Sequence, residues 1–251
     1  MGTPELRVIA LAGLPEVGRG ADLARLICDA ARRGPGILPG DIVVVTQKIV
    51  SKAEGRLVAL VDVTPSAEAQ RIAGETDKDP RLVELILRES RRIVRQRGPV
   101  LIMETRHGFV CANAGIDASN VGPEGVVSLL PEDPDRSAAG IREGIRERTG
   151  AEVAVIISDT FGRPWREGHT NVAVGLAGMS PFVDYVGQVD PHGYELRVST
   201  LAVADELAAA AELVMGKLDG VPVAIVRGYD YPKGDGSARQ LVRDAAKDLF
   251  R

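Results

Sequence analysis

Short runs of Val and Ile bounded by Gly, Pro or Asp recur along the chain, and each reads as a buried strand. They fall at residues 7–11, 42–46, 57–63, 100–103, 153–157 and 223–226. Between several of them the apolar positions shift to helical spacing. Asp22 stands where a cap belongs, Leu23, Leu26, Ile27, Ala30 and Ala31 keep the period, and Gly34-Pro35 ends it. The same pattern predicts helices over 80–90, over 135–148 with Gly150 as a left-handed stop, over 203–215 with Gly216 following, and over 237–250. Alternating character over 182–187 and 194–200, joined by Asp190-Pro191-His192-Gly193, predicts a β-hairpin in which His192 is a plain turn residue. Strands interleaved with helices, without a free linker or repeat, predict a mixed α/β (α+β) chain. It is expected to form one domain over 1–251, a compact unit of two lobes.

Composition narrows what this chain can do. With 251 residues, 45% of them hydrophobic, it can bury one large core or two smaller ones. A net charge of -4 supplies no global basic field for nucleic acid or anionic membrane, so any bound phosphate must be held locally. Cys28 and Cys111 lack metal-ligand spacing and read as reduced structural thiols. The first residues lack a basic region followed by an apolar core, and no apolar run approaches the ~20 residues of a membrane span. A soluble, cytoplasmic protein is expected.

Three segments concentrate polar chemistry beside buried strands. The run from Ser158 to Asn171 places Asp159, Thr160, Arg163, Arg166 and the single Trp165 where the strand over 153–157 meets solvent. Arg163 and Arg166 could clamp a carboxylate or phosphate, while Trp165 reads first as a core or interface anchor. The run from Gly40 to Arg56 passes from a buried strand to Gln47, Lys48, Ser51 and Lys52. These could face a phosphate or base at the strand's C-terminal end, or be no more than a solvated strand end with snorkelling lysines. The third, 104–122, mixes small residues with Asn113, Asp117 and Asn120; it fits either close ligand approach or an ordinary turn sequence. Asp117 and Asp159, with Thr160 as a neutral oxygen, suit Mg2+ or Mn2+. No P-loop, no dinucleotide-binding glycine motif and no paired histidines occur, so a nucleotide site here is of another kind and zinc is disfavoured.

Taken together, Gly13 to Val17, Gly40 to Arg56, Asn113 to Asn120, Ser158 to Asn171 and Lys217 to Gly228 resemble the coenzyme F420-0:L-glutamate ligase family. Five blocks in order span nearly the whole chain; Leu14-Pro15-Glu16 is weak alone and Asp159 to Trp165 is strong. The resemblance implies a family-specific fold, an intertwined homodimer and a GTP-dependent amide ligase. Such an enzyme adds L-glutamate to coenzyme F420-0 through an acyl phosphate, with two divalent ions and room for a monovalent cation such as K+. By the same resemblance Leu14, Pro15, Glu16, Val17, Gln47, Lys52, Asn120, Met215 and Gly216 contact the nucleotide. Asp117, Asp159 and Thr160 ligate metal, Lys52 neutralises phosphate, and Arg163 or Arg166 orients a substrate carboxylate. Lys217 falls where archaeal relatives can supply a further ligand, which a protonated amine cannot be. Some relatives carry a fused nitroreductase-like domain, expected to be absent from 1–251. Two rivals stay open: a different metal-dependent GTP hydrolase or phosphotransferase, and a non-catalytic nucleotide- or deazaflavin-binding module.

Overall fold

The computed structural model describes residues 5–249. The chain opens with β1 (Arg7–Ala10), α1 (Leu23–Arg32), β2 (Ile42–Thr46), α2 (Gln47–Glu54) and β3 (Leu57–Ala59). Then come α3 (Ala67–Thr76), α4 (Pro80–Arg88), β4 (Ser90–Arg97), β5 (Val100–Thr105), β6 (Val110–Ala112) and β7 (Val126–Ser128). The remainder is α5 (Pro134–Thr149), β8 (Ala154–Arg163), β9 (Arg166–Ala177), β10 (Val183–Asp184), β11 (Thr200–Leu201), α6 (Val203–Met215) and β12 (Val223–Arg227). This is a mixed α/β fold, as the patterning predicts.

A five-stranded sheet in the order β1-β12-β2-β8-β9 forms the centre, with β2 and β8 parallel and the other pairs antiparallel. The central strands β12 and β2 and the first half of β8 are buried on both faces, which explains their unbroken Val and Ile runs. Alternate residues feed opposite cores: Val43, Val45, Val155 and Ile157 meet α1 and α5, whereas Ile42, Val44, Ala154 and Ile156 meet α6. A third core joins α3, α4, β5 and β7 around Ile72, Ile86, Leu101, Met103 and Val127. Under it lies the three-stranded sheet β4-β5-β6.

Local chemistry accounts for the helix ends. Asp22 accepts the Arg25 amide at 2.9 Å to start α1, Asp79 caps α4 ahead of Pro80, and Gly150 (φ 72°) closes α5. The turn at 190–193 forms as expected, with the Gly193 amide on the Asp190 carbonyl at 3.0 Å, but regular pairing is confined to β10 and β11 and a bridge between Val189 and Glu195. Cys28 and Cys111 are buried free thiols; burial raises both, Cys111 to about 12.

Several expectations need correction. The helix predicted over 237–250 is instead two 3-10 turns, Ala238–Leu241 and Ala245–Lys247, because Ser237 closes a capping box over a single turn; residue 250 lies outside the described residues. The strand over 57–63 stops at Ala59 and becomes a 3-10 turn. The helix over 80–90 ends at Arg88, and Ser90 already belongs to β4. The polar residues after Thr46 form the helix α2 rather than a loose strand end, and those after Ile157 continue β8 and return as β9 rather than forming a loop. Among the described residues no helix is long and apolar enough to cross a membrane.

Candidate active site

Where the carboxyl ends of the parallel strands β2 and β8 lie side by side, Thr46 pairs with Ser158 and both chains turn polar. Such an edge is where open α/β sheets receive ligands. Here it opens into a cleft of about 1170 Å³. α2 begins at once after β2, so the unpaired amides and positive end of that helix face the opening. Lys48 and Lys52 are four residues apart and therefore share one face of α2. Both line the cleft, with Gln47 buried beneath and accepting the Ser51 hydroxyl at 2.9 Å.

The opposite wall comes from the segment between β6 and β7. Asn113, Ala114 and Gly115 all adopt positive φ (51°, 56° and 73°), a sequence of left-handed residues that turns the chain sharply into the cleft. At Gly115 a side chain would stand 2.8 Å from Leu130, so glycine is required twice over. Two bonds to Ser128 then clamp the backbone of Asp117, at 3.1 and 2.8 Å. Its carboxylate accepts Lys48 Nζ at 2.8 Å and the Ser119 amide at 2.7 Å. Burial works against ionisation of Asp117, but these donors outweigh it and hold the carboxyl below its ordinary value.

Asp159 enters from β8, beside a β-bulge: between Ile157 and Ser158 the partner strand advances from Gly175 to Ala173. The extra residue re-aims the side chains that follow. Desolvation pushes Asp159 up to about 7, with the charge of Asp117 adding to it and the Thr160 amide, Lys48 and Lys217 opposing. Thr160 donates its hydroxyl to Asn171 Oδ1 at 2.6 Å and accepts Lys217 Nζ, which also lies 3.5 Å from Glu212 Oε1. Asn171 donates to Glu212 Oε2 at 2.9 Å, completing a chain of polar contacts from β8 through β9 to α6.

Among the described residues no group of three or more His, Cys, Asp and Glu forms a metal cluster. The donor set is instead two mutually repelling carboxylates with neutral oxygens. Ser158 Oγ and Asn113 Oδ1, both buried and both on the cleft wall, have no hydrogen-bond partner. Hard oxygen donors at a site where two negative charges repel fit a divalent cation.

The family model described as F420-0:Gamma-glutamyl ligase matches residues 13–228, which include every wall of this cleft. The chain belongs to this family. Relatives named "Coenzyme F420:L-glutamate ligase" are similar over most or all of their length. The protein from Methanothermobacter thermautotrophicus is 52% identical over 98% of this chain and 99% of its own. That from Methanopyrus kandleri is 45% identical over 100% and 99%. That from Methanocaldococcus jannaschii is 44% identical over 84% and 85%.

For this family member the cleft gathers most residues singled out in the sequence: Leu14, Pro15, Glu16, Val17, Gln47, Lys52, Asp117, Asn120, Asp159, Thr160, Arg163 and Gly216. Lys52 is paired with Glu16, whose carboxylate is 2.5 Å from Nζ. Asn120 donates to the Lys217 carbonyl at 3.3 Å. Two residues stand elsewhere. Met215 is fully buried against the sheet as the last anchor of α6, and Arg166 is exposed on the far side of the β8–β9 turn, off the cleft. Arg163 reaches the rim with its guanidinium on the carbonyls of Glu167 and Gly168. Trp165 is 69% exposed at the turn, so it is not a core residue. The sequence pattern does not mark Glu212, and it marks Lys48 only as one of four residues that could face a phosphate or base. The signal for Lys48 was its place in the first turn after a buried strand; for Glu212, inside a regular amphipathic helix, there was none.

Proposed function

We propose that this protein joins L-glutamate to coenzyme F420-0, with GTP as the energy source and an acyl phosphate as intermediate, releasing GDP and phosphate in coenzyme F420 biosynthesis. The observation that carries the reading is the cleft's charge arrangement. Two carboxylates share the cleft with three lysines, Lys48 and Lys52 on α2 and Lys217 after α6, and the N-terminal end of α2 opens into it, in a chain of the F420-0:gamma-glutamyl ligase family.

A carboxylate does not form an amide unless activated. Its oxygen attacks the γ-phosphorus of GTP, the bond from that phosphorus to the β,γ-bridging oxygen breaks, and GDP departs. The uncharged amine of glutamate then adds to the acyl carbon, phosphate leaves, and the nitrogen loses its extra proton to water. Chemistry of this kind rests on positioning and on neutralising charge more than on covalent help from the protein. Asp117, Asp159 and Thr160 would hold divalent ions, which supply Lewis-acid neutralisation of the phosphates when bound. Lys52 exchanges its Glu16 partner for a phosphate oxygen, and the α2 N-terminus offers amides to the same anion. Leu14 to Val17, Gln47, Asn120 and Gly216 enclose the guanine nucleotide. Arg163 orients a substrate carboxylate at the rim. The working form is an intertwined homodimer.

Incubation with GTP, Mn2+, coenzyme F420-0 and L-glutamate, read by mass spectrometry, tests the reading. Addition of a glutamyl unit, with GDP formed in step, is expected. GTP loss that continues without glutamate and leaves the coenzyme unmodified would instead mark a hydrolase; binding without turnover would mark a carrier module.

A further inference from the structure

Lys217 is fixed at both ends. Just before it, Gly216 adopts φ 61° and ψ -178°, a region open to glycine, so the chain leaves α6 abruptly towards the cleft. The Lys217 carbonyl accepts Asn120 Nδ2 at 3.3 Å from the opposite wall. Its ammonium donates to Thr160 Oγ1 and lies 3.5 Å from Glu212 Oε1. Thr160 in turn donates to Asn171 Oδ1 at 2.6 Å, and Asn171 donates to Glu212 Oε2 at 2.9 Å. Four side chains from β8, β9, α6 and the turn after it thus close a ring around one cation.

The three lysines of the cleft are not held alike. Lys48 uses all three donors, on Asp117 at 2.8 Å and on the carbonyl and hydroxyl of Ser119 at 2.6 and 3.1 Å. Lys52 is buried and closely paired with Glu16. Among the described residues the Lys217 ammonium meets Thr160 and the more distant Glu212 alone, and 61% of its side chain is exposed on the cleft wall. One donor is left for a ligand.

This arrangement makes Thr160 a poor seat for a divalent ion. An ion about 2.1 Å from the hydroxyl oxygen would stand within roughly 4 Å of an ammonium bonded to the same atom, and the two positive charges would repel. Glu212 and Lys217 already balance one another. Around Asp159 the balance is different: Asp117 and Asp159 outnumber Lys48, so a cation is still attracted there.

Narrowing the ligase reading above, on which this inference rests, we propose that Lys217 is a built-in cation of the reaction centre and takes the place of a second metal ion. One divalent ion is shared by Asp117 and Asp159, and the Lys217 ammonium donates to a phosphate oxygen of GTP. Thr160 acts through Lys217 instead of on a metal, and Asn171 and Glu212 are positioning residues. A cation held in place beforehand neutralises the moving γ-phosphoryl group without being recruited from solution.

The test uses the whole protein and K217Q. Mn2+ bound in the presence of β,γ-imido-GTP is counted by electron paramagnetic resonance of the free ion. The wild type is expected to bind one Mn2+ per chain. K217Q should bind two, because Glu212, Thr160 and the new amide oxygen then offer hard donors without a resident charge. In turnover, with Mn2+ sufficient for the first site alone, kcat of K217Q should fall about a hundredfold while KM for coenzyme F420-0 stays within about twofold. Raising Mn2+ until the second site fills should restore much of the loss, a response that a merely structural role would not give. Two Mn2+ in the wild type, an unchanged count in K217Q, or a kcat within about twofold of the wild type at low Mn2+ overturns the proposal. If the wild type fails to glutamylate coenzyme F420-0 while the change from one Mn2+ to two persists, the ligase reading falls and the built-in cation stands.

Discussion

Asp159 illustrates how much one side chain's setting decides. Desolvation and the nearby Asp117 push its carboxyl up to about 7, an unfavourable position unless a cation offsets the charge. Replacing it with Asn keeps size and polarity but removes the charge, so metal-dependent ligation should fall roughly a hundredfold or more. Thermal unfolding of the metal-free protein at pH 8 should shift upward, because the substitution removes a desolvated charge that the fold disfavours; near-normal turnover of Asp159→Asn in GTP and Mn2+ would dismiss the metal role. Far from the cleft, Glu84 makes the opposite case. The Ser66 hydroxyl and amide, helped by Arg88, hold its carboxyl down to about 2. Because the folded value lies below the unfolded one, Glu84 stabilises the fold above about pH 4.5, and that contribution disappears as pH falls towards 2. Glu84→Gln is thus expected to lower Tm at pH 7 and to narrow its gap from the wild type at pH 3; a constant gap would refute the linkage. Residue type alone pointed to Asp117, Asp159 and Thr160, since hard oxygen donors beside apolar strands have few other uses. It could not exclude Arg166 or Met215, because both lie next to genuine cleft residues in sequence and only the turn of β8–β9 and the inward face of α6 separate them.

Elements were legible in proportion to how strongly burial marks them. β2, β8 and β12 are enclosed on both faces and read as apolar runs; α1, α5 and α6 have ends written in Asp22, Gly150 and Gly216. α3 buries mainly Ala69, Ile72 and Ala73, too few large side chains to register a period. β4 was hidden because its outward positions are arginine and its register shifts twice, and the polar ends of β8 and β9 because pairing, rather than burial, keeps them extended. β9 also rests on a feature that a pattern search cannot see: at Gly175 a Cβ would lie 2.5 Å from the backbone oxygen of Pro134 at the start of α5. That atom cannot swing aside as a side-chain tip can. Gly175→Ala should therefore displace α5 from the sheet and cost about 1–3 kcal/mol, seen as a lower denaturant midpoint with unchanged m. A variant as stable as the parent would mean that α5 shifts freely, contrary to its packing against β8 and β9.

At the scale of the whole molecule, the cleft is assembled from parts distant in sequence: the 14–17 segment, the start of α2, the 113–120 loop, β8 and the turn after α6. No single segment could reveal that convergence, but the order of five motifs along the chain carries it, which is why family membership was readable before any contact was. The same molecule extends the β8–β9 hairpin into solvent with Pro164 and Trp165 at its tip, and Trp165 is 69% exposed between two arginines. A large aromatic so placed is characteristic of an interface anchor, since aromatic and arginine side chains dominate the energetics of buried contacts. If the protein works as an intertwined homodimer, light scattering should give the mass of two chains at micromolar concentration. Trp165→Ser should then shift the equilibrium towards one chain, with a Kd weaker by about tenfold or more, as expected for losing an interface anchor of 2 kcal/mol or so. The hairpin pairs β8 with β9 well beyond the core, so the substitution at its tip should leave circular dichroism unchanged. A wild-type protein that remains a single chain throughout this range would remove the homodimer from the proposal, and a variant dimer as tight as the parent would move the contact to another surface.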